Sequence, residues 1–105
     1  MTVTLTHRSG AMTEQVNDAD LRGLVAELDE RGDSEHPDVS VTHESGWSLS
    51  AFPSGRLMWE NVEADTAVGH RVAVDRDEVL RLFRLLASDD VDAVASSGWD
   101  PGYGG

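Results

Sequence analysis

Four histidines, His7, His36, His43 and His70, are the side chains best suited to proton transfer or metal ligation. None stands at the HxH or HxxxH spacing that sets two imidazoles on one side of a strand or helix, the geometry a histidine metal site needs. His43 precedes Glu44 at a predicted turn, and His7 and His70 fall near strand ends, so each reads as a surface histidine or one satisfied at a rim. The serines offer no GxSxG elbow, and Ser48 and Ser50 sit on a strand face where no partner base can be identified. Glu60 and Asp65 would do acid–base work only if a pocket desolvated one of them. With no lysine in the chain, a GxxxxGK phosphate loop is excluded, and no GxGxxG follows a strand. No cysteine is present, which removes disulfides, thiolate nucleophiles and Cys-based zinc sites. The residues predict a protein that is not an enzyme and needs no metal or cofactor.

Charge is the strongest compositional signal. The chain carries 20 acidic residues against 8 arginines, a formal net charge of −12. Phosphate backbones and anionic lipid surfaces would repel it, so direct binding to nucleic acid or membrane is not expected. A cationic protein partner is. Absent lysine, aspartate outnumbering glutamate and abundant alanine and valine equally fit a GC-rich genome or adaptation to high salt, in which acidity serves solubility alone. The N-terminus lacks a basic region followed by an apolar run, and no stretch approaches the roughly 20 apolar residues that span a bilayer. A soluble cytoplasmic protein is expected.

The scaffold that must position any site is organised around residues 38–62. Val39, Val41 and His43 alternate with Ser40 and Thr42, Glu44-Ser45-Gly46 breaks the run, 47–52 extend again, Pro53-Ser54-Gly55 turns, and 56–62 return. Two three-residue hairpin loops then pair His43 with Trp47, Val41 with Leu49, Val39 with Ala51, Ala51 with Leu57, Leu49 with Trp59 and Trp47 with Asn61. One face is apolar. The other holds Ser40, Thr42, Ser48, Ser50 and Glu60, relieved by Phe52, Met58 and Val62, as in a sheet wet on one side.

Before the meander, residues 2–8 alternate as a half-buried strand ended by Ser9-Gly10. A helix follows with Asn17 as cap, a Val16–Leu21 staple, an apolar face of Leu21, Leu24, Val25 and Leu28, and Gly32 as its stop. After the meander, His70, Val72 and Val74 alternate with Arg71 and Ala73 as a further strand. The clearest helix spans 75–87, with Asp75 as cap, Glu78 as capping-box partner, a Val74–Val79 staple and Val79, Leu82, Phe83 and Leu86 facing inward. Arg76, Arg81 and Arg84 take its outer surface. A short helical turn restarts at 88–94, and a flexible glycine-rich tail begins at about residue 100. At 105 residues this makes one α+β domain, a mainly antiparallel sheet of four to five strands with a central meander and two main helices packed on one face.

Two further features bear on binding. Acidic residues gather at 27–35, 60–65 and 89–92, and the second and third groups flank the meander edge and the end of the main helix, where together they would form one negative face. Glu60, Glu63, Asp65, Asp89, Asp90 and Asp92 are therefore the expected contacts for a basic partner. Trp47 and Trp59 belong to the apolar face. Trp99 lies beyond the last helical turn among small residues, either an anchor pinning the tail across the sheet or a partner-facing aromatic of the kind enriched at interfaces.

Trp47-Ser48-Leu49, the run Pro53-Ser54-Gly55-Arg56-Leu57-Met58-Trp59-Glu60-Asn61, the leucine-rich helix at 75–87 and Trp99 with Pro101-Gly102 give the chain a further aspect. Over roughly residues 38 to 103 it resembles immunity protein family one of bacterial polymorphic toxin systems. The resemblance implies a non-enzymatic inhibitor that binds a cognate toxin domain, often a nuclease or deaminase, and blocks its active site. It carries over neither toxin class nor interface residues. Two readings stand beside it: a structural or regulatory interaction module that dimerises through an exposed meander edge, and a small-ligand site or enzyme using the Ser48, Ser50 and Glu60 face, which requires a concave pocket there.

Overall fold

Period-two alternation places Val39, Val41 and His43 on one side of a strand, and the pairing across two tight turns completes that side. In a computed structural model of the chain, which describes residues 3–7, 11–14, 17–29, 38–61 and 69–101, the meander forms in the expected register. β3 (Val39–His43) pairs with β4 (Trp47–Ala51) through Val39–Ala51 and Val41–Leu49. β4 pairs with β5 (Leu57–Asn61) through Trp47–Asn61, Leu49–Trp59 and Ala51–Leu57. Gly46 and Gly55, at φ 95° and 89°, supply the left-handed residue that ends each loop.

Around this meander the sheet is larger than expected. β1 (Val3–Thr6) lies antiparallel beside β3, and a two-residue strand, β2 (Met12–Thr13), lies outside β1. On the other flank come β6 (Gly69–Arg71) and a second two-residue strand, β7 (Asp100–Pro101). The order β2-β1-β3-β4-β5-β6-β7 makes seven antiparallel strands instead of four to five. The surplus strands are too short to show an alternation. Among the described residues β1 runs along β3 and β6 along Leu57–Trp59 of β5, so the meander edges invoked for dimerisation are covered there. The tail read as starting near residue 100 begins with a paired strand; 102–105 lie outside the described residues.

The strand expected over 70–74 stops at Arg71. Ala73 takes φ 55°, a left-handed conformation that aims the Val74 N–H at the Gly55 carbonyl, 2.9 Å away, and leaves Val72 65% exposed. A side chain on Gly55 would meet this crossing directly, since its Cβ would lie 2.9 Å from the Val74 carbonyl oxygen.

Asn17 caps α1 (Asp18–Ala26) by accepting from the Asp20 N–H, and the Asp20 carboxylate reaches back to the Asn17 N–H to complete a capping box. One 3-10 turn, Glu27–Asp29, extends it. Val16 and Gly32, assigned to the staple and the stop, lie outside the described residues, as does Val62. Asp75 caps α2 (Arg76–Ala87), but Glu78 is not its box partner. The Glu78 carboxylate binds Arg71 and Arg81 instead, because two guanidiniums outcompete one main-chain amide for it. Asp90 caps the five-residue α3 (Val91–Ala95).

Leu21, Leu24, Val25 and Leu28 from α1 and its extension meet Val79, Leu82, Phe83 and Leu86 from α2 and Val94 from α3. Together they cover Val3, Leu5, Val41, Leu49, Leu57 and Trp59 in one apolar core. Phe83 is fully buried there, a site where truncation to alanine typically costs about 3–5 kcal/mol. On the opposite face, Thr6, Ser40, Ser50, Met58 and His70 fall in one cross-strand row and Thr4, Thr42, Ser48 and Glu60 in the next. This face was expected to be wet. Its centre is not: Ser48 and Met58 are 5% and 6% exposed, and the Ser48 and Thr42 hydroxyls bond each other at 3.0 Å. Among the described residues no helix is long and apolar enough to cross a membrane.

Candidate functional site

The end of the sheet at the β3–β4 turn is where acidic segments converge. His43, the last residue of β3, is 6% exposed and bonds through both ring nitrogens. The Ser45 main-chain N–H lies 3.0 Å from His43 Nδ1. A main-chain amide can only donate, so Nδ1 accepts and Nε2 carries the ring proton. Nε2 donates to Asp89 Oδ1 at 2.5 Å, while the Ser45 hydroxyl donates to Nδ1 at 2.8 Å. This draws the turn between α2 and α3 down onto the β3–β4 turn. Asn61, at the end of β5, donates from Nδ2 to the Ser45 carbonyl at 3.4 Å and ties in the third segment.

Ser45, His43 and Asp89 thus form a hydrogen-bonded series resembling a nucleophile, base and acid. Its chemistry points elsewhere. The lone pair on Nδ1 is already shared with the Ser45 main-chain N–H, and a base engaged in this way holds a turn rather than withdrawing a proton from a nucleophile. Sequence spacing showed His43 beside Glu44 but held no sign of Asp89, the partner that buries it.

Of the residues expected to meet a basic partner, Asp89, Asp90 and Asp92 come together at this corner, exposed, on the helix side of the sheet. Glu60 is at the same end but belongs to the hydroxyl-bearing face, opposite Ser48 in register. The single negative face therefore divides around a rim. Glu63 and Asp65 lie outside the described residues. Ser48, a candidate nucleophile, is buried and bonded to Thr42, which closes its hydroxyl to a substrate.

The arginines are met by acids. Of the six described arginines, 22, 56, 71, 76, 81 and 84, all but Arg56 pair with acids around the helices. Arg84 and Arg22 share Asp18 at 2.5 and 2.8 Å, and Arg76 reaches Asp29 at 3.1 Å. Hydrogen bonding from Arg84 holds the Asp18 carboxyl below its ordinary range. Glu78 is lowered further, to about 2, first by its bond from Arg81 and then by Arg71. Among the described residues no ion pair reaches Asp90, Asp92 or Asp100. No group of three His, Asp or Glu side chains among them is placed to hold a metal.

Beside the corner stands an aromatic stack. Trp47 and Trp59, diagonal neighbours on β4 and β5, lie parallel with centroids 4.7 Å apart, and Trp99 continues the stack at 6.1 Å from Trp59. The Trp99 indole N–H donates to the Val94 carbonyl at 2.6 Å, anchoring the chain after α3. Gly69 makes room for it: a Cβ there would stand 2.7 Å from Trp99 Cβ. The Arg71 guanidinium lies over the Trp99 ring, 5.9 Å from its centroid. Ala95, Asp100 and Pro101 join the three indoles around a cleft of about 250 Å³. Trp99 is thus an anchor, and it also presents part of its surface to this cleft.

The chain matches no family model, no curated protein and no solved structure.

Proposed function

We propose that the chain is a small acidic immunity-type protein, non-enzymatic and cytoplasmic, which binds the basic surface of a cognate toxin domain of the nuclease or deaminase class and inhibits it. The observation that carries this reading is the separation of charge. Arginines and their acids pair around the helices, whereas Asp90 and Asp92, at the corner over the β3–β4 turn, meet no cation among the described residues. A nuclease or deaminase must carry positive charge to hold its nucleic-acid substrate. A carboxylate-bearing rim competes for that same surface and steers the encounter.

The test is whether the neighbouring upstream gene encodes a toxin domain and whether this protein inhibits it. Stoichiometric addition of this protein should abolish its activity, and D90K/D92K should slow association at least tenfold and flatten its salt dependence. Undiminished toxin activity with excess protein would overturn the reading.

A further inference from the structure

We infer that the hydroxyl-bearing face of the sheet is an interface between two copies of this chain, related by a two-fold axis that runs along β4 beside Phe52. The helices pack on the other side of the sheet, where Asp90 and Asp92 stay in the open. The interface therefore adds an assembly to the reading above without depending on it.

Three observations lead there. Continued one step past Val39–Ala51 and Leu57–Arg71, the register sets Asp38, Phe52, Arg56 and Val72 in one cross-strand row on this face. The Phe52 N–H donates to the Arg56 carbonyl at 2.9 Å and holds those two side by side. Asp38 and Arg56 carry opposite charge, yet Phe52 stands between them, and neither has an ion-pair partner among the described residues. Arg56 Nε is buried without an acceptor, so it has given up water and gained no bond. Finally, Met12 and Val72, the large apolar side chains left 68% and 65% exposed, border this same face. The short side chains of Thr6, Ser40 and Ser50 keep the surface between them low.

The order of the row selects the occupant. A two-fold axis along the middle strand lays each flank of one sheet over the opposite flank of the other, in aligned face-to-face packing. Phe52 then meets Phe52, and each Asp38 meets the Arg56 of the second copy, two ion pairs from one contact. The neighbouring row follows the same rule, with Ser40 over Met58 and Thr6 over His70. A basic protein docked here would leave Arg56 unmet and an acidic one would leave Asp38 unmet, whereas a second copy answers both.

The test is sedimentation equilibrium of the full chain, which should be dimeric. Arg56→Asp sets carboxylate against carboxylate and Asp38→Arg sets guanidinium against guanidinium, so each variant alone should dimerise at least about tenfold more weakly. Since neither residue pairs within its own chain, both variants should unfold at close to the native urea concentration. Mixed in equal amounts they should recover the native affinity as a heterodimer, because every contact is again an acid facing a guanidinium. A monomeric native chain, a dimer indifferent to both substitutions, or variants that stay apart on mixing would overturn the inference. The outcome is separable from toxin inhibition: a dimer that inhibits no toxin loses only the inhibitory role, and an inhibitor that stays monomeric loses only the interface.

Discussion

His43 and Asp89, 46 positions apart, are joined by a 2.5 Å hydrogen bond from Nε2 to Oδ1 that fixes the α2–α3 turn over the end of β3. Because the imidazole is buried and its other nitrogen is occupied by Ser45, removing Asp89 leaves an N–H with no acceptor. Asp89→Ala should therefore cost about 1–3 kcal/mol in urea unfolding. Asp89→Asn keeps both an acceptor oxygen and tolerance of the left-handed backbone at φ 67°, and should retain most of the stability. Equal losses in the two variants would show that the bond is not what holds the corner.

Gly69 is the seat of Trp99. A methyl group there cannot coexist with the Trp99 Cβ at 2.7 Å. Gly69→Ala should expel Trp99 from the stack, reduce near-UV circular dichroism from the coupled indoles and lower the melting temperature. An unchanged aromatic spectrum would contradict the placement.

At Gly55 two penalties coincide, a positive φ and a Cβ facing the Val74 main chain. Gly55→Ala should cost about 1–3 kcal/mol, measured by urea denaturation. Gly23, where an added Cβ meets nothing within 4 Å, is the matched control: alanine there should stabilise by about 0.5–1 kcal/mol, since it lies within α1.

Glu78 should show itself in acid. Its folded carboxyl is held at about 2 against an ordinary 4.5, so the pair's stabilisation is complete above about pH 4.5 and disappears as pH falls toward 2. A quarter of the Glu78 side chain and over half of Arg81 are in water, and screening holds the contribution to about 1 kcal/mol or less. Melting curves of the native chain and Glu78→Gln should differ at pH 6 and converge near pH 2. A difference that persists at pH 2 would assign the effect to packing.

The meander could be read in advance because both of its signals are local: alternation within each strand and a glycine at each loop. The helices were legible for the same reason, through the Asn17 and Asp75 caps and their apolar faces. What escaped depends on distance along the chain. β2 and β7 exist only because a longer strand lies beside them. Arg84 finds Asp18 across 66 positions, and no spacing rule predicts such a pair. The strand at 69–71 was placed but overextended, since Ala73 follows the demands of Gly55 rather than its own preference. At the candidate site, Asp89, Asp90 and Asp92 were recognised by type and Trp99 as an anchor or interface aromatic, while the bond from His43 to Asp89, 46 positions away, was not.

Among the described residues both margins of the sheet are stubs of two residues, and one of them includes Pro101, which has no N–H to offer a newcomer. A molecule arriving sideways finds little ladder to copy, so runaway polymerisation into cross-β fibrils has no convenient seed.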